Sequence, residues 1–357
     1  MSYITHSVYF FYCLLGLIIL KINCNSAPKN NLAAENKIEA TPFKAAQKIN
    51  GLSFVATPKP FSAKAFVDIE NVCANFIAVI PYAFTRGDDP HVSFNNNFQW
   101  WGESIAGVSA TIDSAHAHNM SVMLKPQVFV GRGWIGDLTF ANDSLWQIWE
   151  KDYSNYILQF AQLAADKKIA LFSVGTEITK SVRLRPAFWK KFIPEIKKIY
   201  SGKLVYAANW NDYEEVTFYD QLDYIGIDAY FPLDTSKTPN VENLLQKWKP
   251  IATELEAFSK KINKPVLFTE AGYLSVDGCG GKNWELEKTR KTSPINEIAQ
   301  SNAYAALLTE FQDKKYFAGV FWWKWFPDKM GHEGAMERDY TPQNKLAARV
   351  LKQFYCK

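Results

Sequence analysis

Much of what marks other protein classes is missing from this sequence. It has no dense run of lysine and arginine, and its formal charge of +4 is small for 357 residues. Nucleic acid is therefore not expected as a partner. The five cysteines and five histidines follow no zinc-ligand spacing, and His116 and His118, two apart on an expected helix, face different ways. No phosphate loop follows the first strand-like run, since Gly51-Leu-Ser-Phe-Val-Ala-Thr-Pro58 lacks the glycine pattern of an open dinucleotide-binding sheet. There is no Gly-x-Ser-x-Gly elbow of a serine hydrolase. Cys279, in Asp277-Gly-Cys-Gly-Gly281, would need a histidine to act as a nucleophile, and only His332 is near it in sequence. The chemistry left is that of carboxylates, amides and rings, with neither cofactor nor metal.

Long apolar runs are also scarce. The stretch from Val8 to Leu20 has the length of a signal-peptide core and is too short to span a bilayer comfortably. Residues 1–23 are thus expected to direct export and residues 24–48 to form a polar, flexible tether. Cys24 sits where a bacterial lipoprotein is cleaved and lipidated, which would attach the protein to a membrane. Lys21 and Asn23 do not match the small or aliphatic residues usual before such a cysteine, and the start of the chain lacks lysine and arginine. The expected location is therefore exported: extracellular, periplasmic or lipid-anchored. Of the other cysteines, Cys73 lies in a helical apolar pattern and is expected in the core. A Cys279–Cys356 bridge is geometrically allowed.

Aromatic residues are abundant, at 15% of the chain with 12 tryptophans. That many rings suit a cleft stacking on the apolar faces of sugars. From Ile49 onward, strand-like runs alternate with amphipathic helical stretches, the pattern of βα units on a parallel sheet. Eight such runs begin at Ile49, Phe76, Ser121, Ile169, Leu204, Tyr224, Val266 and Gly319. The predicted fold is α/β: a single (β/α)8 TIM barrel over residues 49–357, a fold that needs about 250 residues. After the fifth run only a short helix, around Glu214 to Tyr219, is expected.

Two of these runs end in a carboxylate. Glu177 closes Leu171-Phe-Ser-Val-Gly-Thr-Glu177, and Glu270 closes Pro265-Val-Leu-Phe-Thr-Glu270. An ionised glutamate is costly to bury unpaired, so each is either an ion-pair partner at a strand end or a working group. Two on different strands of one barrel mouth form the layout of a glycosidase. Retention of configuration needs the carboxyls about 5–5.5 Å apart, close enough for one to attack the anomeric carbon while the other handles the proton.

The runs Val174-Gly-Thr-Glu-Ile178, Asp228-Ala-Tyr-Phe-Pro232, Phe268-Thr-Glu-Ala-Gly-Tyr273 and Gly319-Val-Phe-Trp-Trp-Lys-Trp325 resemble the retaining β-glycosidase barrels of clan A. More closely they are similar to glycoside hydrolase family 113, the β-mannanases, over everything from Ile49 onward. The resemblance implies an acid/base after the fourth strand, Glu177, and a nucleophile after the seventh, Glu270. It implies a β-linked polysaccharide or oligosaccharide as substrate, with β-1,4-mannan foremost. Thr176 departs from the asparagine usual before the acid/base in the clan, which leaves open what holds the sugar 2-hydroxyl; Asn209 is the candidate. A β-glucanase, xylanase or exo-acting glycosidase, or a glycan-binding barrel without turnover, are the alternatives.

Other polar and aromatic residues fall at the same strand ends. Lys125 and Gln127, closing the third strand, are expected to bond sugar hydroxyls, although Lys125 suits a pairing with Asp228 equally well. Tyr230 is the natural donor to Glu270. Trp134, in the glycine-loosened loop Gly131-Arg-Gly-Trp-Ile-Gly136, is expected to wall a subsite. Trp210, Trp323 and Trp325 complete the expected aromatic lining.

Overall fold

A computed structural model describes residues 47–62, 64–96, 99–328 and 334–357. The expected signal peptide, nearly all of the tether, Cys24 and His332 lie outside the described residues.

Eight parallel strands close into a barrel. In chain order they begin with β1 (Ile49–Phe54), β2 (Phe76–Val79), β5 (Ser121–Leu124) and β7 (Leu171–Thr176). They continue with β8 (Lys203–Asn209), β9 (Ile225–Asp228), β10 (Val266–Ala271) and β11 (Phe317–Trp325). The ring is closed by β1 against β11, with Ile49 opposite Gly319 and Leu52 opposite Trp322. Inward side chains from these strands, among them Ile49, Phe76, Met123, Leu171, Val205, Leu267 and Phe321, fill the interior. It is a packed core and not a pore, as in other barrels of this type. Gly51 has to be glycine because a Cβ there would stand 2.4 Å from the Phe321 ring.

Helices cover the outside. They are α1 (Lys64–Glu70), α2 (Ile105–Ala117), α3 (Asp143–Asp166), α4 (Thr179–Leu184), α5 (Pro186–Ile199), α6 (Val241–Ile262), α7 (Asn283–Thr289), α8 (Glu297–Phe311) and α9 (Leu346–Tyr355). Their starts are set by side-chain caps that satisfy orphan backbone donors. Ser104, Asn142, Asn240 and Asn296 each accept from the N–H three residues on. The short helix expected around Glu214 to Tyr219 is instead two 3-10 turns, Tyr213–Glu215 and Tyr219–Gln221.

Outside the barrel, three strands form a small side sheet in the order β4-β3-β6. They are β3 (Tyr82–Arg86), β4 (Asp89–Ser93) and β6 (Gln127–Val130). Gln127 therefore does not end the third barrel strand, as expected, but opens a separate one.

The cysteines also differ from expectation. Cys73 is exposed and lies just past α1 with φ of 56°, a helix-ending conformation that takes it out of the core. It forms a disulfide with Cys356, 283 residues away, while Cys279 is free and buried. The bridge ties the region after the first helix to the end of the last.

Candidate active site

The strand register brings the polar residues to one level. Asn209 of β8 lies opposite Asp228 of β9, and Asp228 lies opposite Glu270 of β10. The pairing shifts between Phe268 and Glu270 on β10, and between Ser173 and Thr176 on β7. Such irregularities re-aim side chains at barrel rims, and here they occur at the ends of the two strands that carry Glu270 and Glu177.

Glu270 is buried, with 7% exposure, and three side chains donate to it. Lys125 and Gln127 both reach its Oε1, Gln127 at 2.8 Å, and the Tyr230 hydroxyl donates to Oε2 at 2.8 Å. Burial and then Glu270 itself push the Tyr230 phenol well above its usual range, so it remains an O–H donor. The Lys125 ammonium is wholly buried and also sits 3.2 Å from both oxygens of Asp228, which accepts from Thr269 at 2.7 Å. Burial works against the charge on Lys125, but Asp228 and then Glu270 outweigh it and raise its pKa. Burial, then Glu270, pushes Asp228 well up. Lys125 is thus shared between two carboxyls. The expectation that it bonds sugar hydroxyls is corrected, because its donors are taken up and it has no exposed surface.

Glu177 stands at the opposite side in different company. Its φ of 51° is left-handed, a costly backbone state for a residue with a Cβ. It is held there by its own N–H on the Ala207 carbonyl at 2.8 Å and by Tyr206, whose hydroxyl accepts from the Ile178 N–H at 2.8 Å. Its Oε1 accepts from Asn209 and its Oε2 from the Trp134 indole N–H, each at 2.9 Å. No cation pairs with it among the described residues. Its pKa is pushed up to about 7, first by burial and second by the Glu270 carboxylate, while Trp134 and Lys125 pull the other way. A carboxyl half-protonated near neutrality can both give and take a proton.

Trp134, expected as a subsite wall, thus bonds the carboxyl directly. Its ring lies over Gly136, where a Cβ would come within 2.3 Å of it. Asn209 spends its N–H on Glu177, and its carbonyl oxygen has no partner among the described residues. Trp210 is half-buried and stacks at 6.0 Å on Trp284, an exposed ring that sequence reasoning passed over. Trp323 lines a cavity of about 500 Å³ together with Tyr82, Trp100, Glu103, Phe129 and Lys324.

Trp325 does not join that lining. It is 3% exposed and packs in the outer core. Between Leu52 and Phe54, two steps of β1 are matched by three of β11, from Trp322 to Trp325. This bulge shifts the alternation, so Trp325 turns to the same side as Trp322. Trp322 stacks at 3.8 Å on Tyr304 of α8. Among the described residues no group of three or more His, Cys, Asp and Glu is placed to hold a metal ion.

The sequence matches the model of Glycoside Hydrolase Family 113 over residues 59–345. Comparison with curated proteins finds no matching sequence. Among solved structures, a family 113 β-1,4-mannanase superimposes with a TM-score of 0.75 at 24% identity, covering 87% of this chain and 99% of its own. A family 113 β-mannanase of Alicyclobacillus acidocaldarius, solved in complex with ManMIm, gives 0.73 at 23% identity, with 87% and 97% covered. A family 5 mannosidase from Rhizomucor miehei gives 0.62 at 11%, with 87% and 92% covered. At these identities the superpositions show a shared barrel.

Proposed function

Because the chain belongs to glycoside hydrolase family 113, it is a glycoside hydrolase, and we propose that it cleaves β-1,4-linked mannan with retention of configuration. The observation that carries this reading is the unequal treatment of two carboxyls at one barrel mouth. Glu270 receives three donors, one of them an ammonium, and Glu177 is pushed up to about 7.

In this reading Glu270 attacks the anomeric carbon and forms a glycosyl ester, while Glu177 gives its proton to the departing oxygen. Forming the ester removes the Glu270 charge, the second largest cause of the raised Glu177 pKa. Glu177, left ionised by that transfer and now the stronger acid, stays a carboxylate and takes a proton from the water that opens the ester. Lys125, Gln127 and Tyr230 hold the Glu270 oxygens in place through both steps. Mannan is favoured because the similar structures include enzymes described as β-mannanases.

The test is hydrolysis of mannan, glucomannan, xylan and mixed-linkage glucan, with the anomer of the first product read by proton NMR. Release from mannan with the β anomer appearing first is expected. Release from xylan or glucan alone would move the substrate, and an α anomer first would overturn the mechanism. Export fits the same reading, because the Cys73–Cys356 bridge suits an oxidising compartment. Attachment through Cys24 would be lost in a Cys24→Ser variant, seen as release from the membrane fraction.

A further inference from the structure

The cavity of about 500 Å³ falls in the size range of ligand pockets, about 300–1,000 Å³, and two of its walls adjoin the Glu270 site. Tyr82 pairs in the side sheet with Gln127, whose amide donates to Glu270. Trp323 packs in the same cluster as Tyr230, whose hydroxyl donates to Glu270. The remaining lining comes mainly from β1, β2, β11 and the segments that follow them. The Glu177 side, β7 and β8, stands across the barrel.

One lining group has no structural purpose on view. Glu103 is 8% exposed and forms no ion pair among the described residues, and the hydrogen bonding to its carboxyl comes from the Trp100 backbone. Lys324, on the same wall, lies 3.7 Å from Asp339 and 5.2 Å from the Phe326 ring. A carboxylate offers about four acceptor positions; the Trp100 backbone meets one, and leaving the others empty in an apolar wall is costly. Neighbouring hydroxyls of a sugar would fill them, while Trp100, Phe129 and Trp323 offer ring faces for its C–H surface.

We infer that this cavity binds the sugar residues on the glycone side of the cleaved bond, with Glu103 accepting hydrogen bonds from a pair of their hydroxyls. The side follows from the assignment of Glu177 as the acid, on which this inference rests: the leaving group must lie against β7 and β8, so the rest of the chain runs the other way. Hydroxyl donors favour the ionised carboxyl. Burial pushes Glu103 up to about 7, so binding should tighten as pH rises through that value.

The experiment compares kcat/KM for an aryl β-mannotrioside and an aryl β-mannoside, which share a leaving group and differ only on the glycone side. Glu103→Gln should lower the trioside-to-monoside ratio about tenfold, the size of one charged hydrogen bond lost. Trp100→Ala, at the cavity rim, should lower it by a comparable factor and decides the matter if the first variant does not fold. By calorimetry in a Glu177→Gln background, mannotriose should bind more tightly at pH 8 than at pH 6, and adding Glu103→Gln should abolish that slope. A ratio within twofold of wild type in both variants, with the slope kept, would overturn the site while leaving a working mannanase. A wild-type protein inactive on every polysaccharide would remove the glycosidase reading and this site with it.

Discussion

Around Glu270 the donors are an ammonium, an amide and a phenol. Around Glu177 they are an indole N–H and an amide, with no cation in contact among the described residues. The two groups are chemically identical, so in the proposed mechanism it is the difference in their surroundings that divides the work. On that proposal the first pocket suits the carboxylate that attacks carbon, and the second, where Glu177 is pushed up to about 7, suits the proton donor. The same division separates acid from nucleophile wherever two carboxyls share a sugar site.

The largest test of this contrast is removal of each carboxyl. Glu270→Ala and Glu177→Ala should each lower turnover by roughly 10²–10⁴-fold or more. On substrates with good leaving groups, azide should rescue them differently. The Glu177 variant should yield the β-glycosyl azide and the Glu270 variant the α-azide, distinguishable by NMR. The same anomer from both would break the contrast.

Next in size is Lys125→Met. It leaves Asp228 and Glu270 without their shared cation, and losing one member of a buried ion pair costs about 3–5 kcal/mol. A lowered melting temperature and a drop in turnover of about 10²-fold or more are expected. An unchanged melting temperature together with wild-type turnover would show that the ammonium is not what sustains Glu270.

Glu270→Gln sharpens the comparison electrostatically. It deletes the charge that is the second cause of the raised Glu177 pKa, so a carbon-labelled glutamate should titrate below about 7 in that variant. Stability should follow the same linkage. The folded pKa of Glu177 exceeds its ordinary 4.5, so the folded chain binds the proton more tightly than the unfolded one. That contribution is present below about pH 4.5 and is lost as pH rises through about 7. Glu177→Gln should therefore flatten the fall in melting temperature between pH 5 and pH 8.

The smallest effect belongs to Trp134→Phe. Its N–H lowers the Glu177 pKa, so its loss should move the alkaline limb of the kcat/KM profile upward and cost several-fold in turnover. A limb that moves down would contradict the bond as a stabiliser of the anion.

The barrel was legible because its strands are short apolar runs punctuated by turns. β1, β2, β5 and β10 begin at Ile49, Phe76, Ser121 and Val266, where their runs were expected to begin. Both glutamates were legible for the same reason, as charges at the ends of buried runs. Features that depend on register or on long-range pairing were not. The bulge that turns Trp325 into the core leaves no mark on a pattern of alternating tryptophans. Cys73 finds Cys356 only once the last helix returns to the first. The side sheet had a readable signal, two short runs around Gly87-Asp88, a usual hairpin dipeptide context. Missing it hid Tyr82 and Phe129 and, with them, the cavity at which Glu103 lies. Lys125 was placed at the right strand end, but only packing shows that its charge is enclosed.

Trapping the glycosyl ester tests the division of labour most directly. With an activated 2-deoxy-2-fluoro-β-mannoside, whose fluorine slows both steps, peptide mass spectrometry should find one fluoromannosyl group on Glu270, with Glu177 unlabelled. A label on Glu177 would contradict the account, as would full turnover by a Glu270→Ala variant that cannot form the ester.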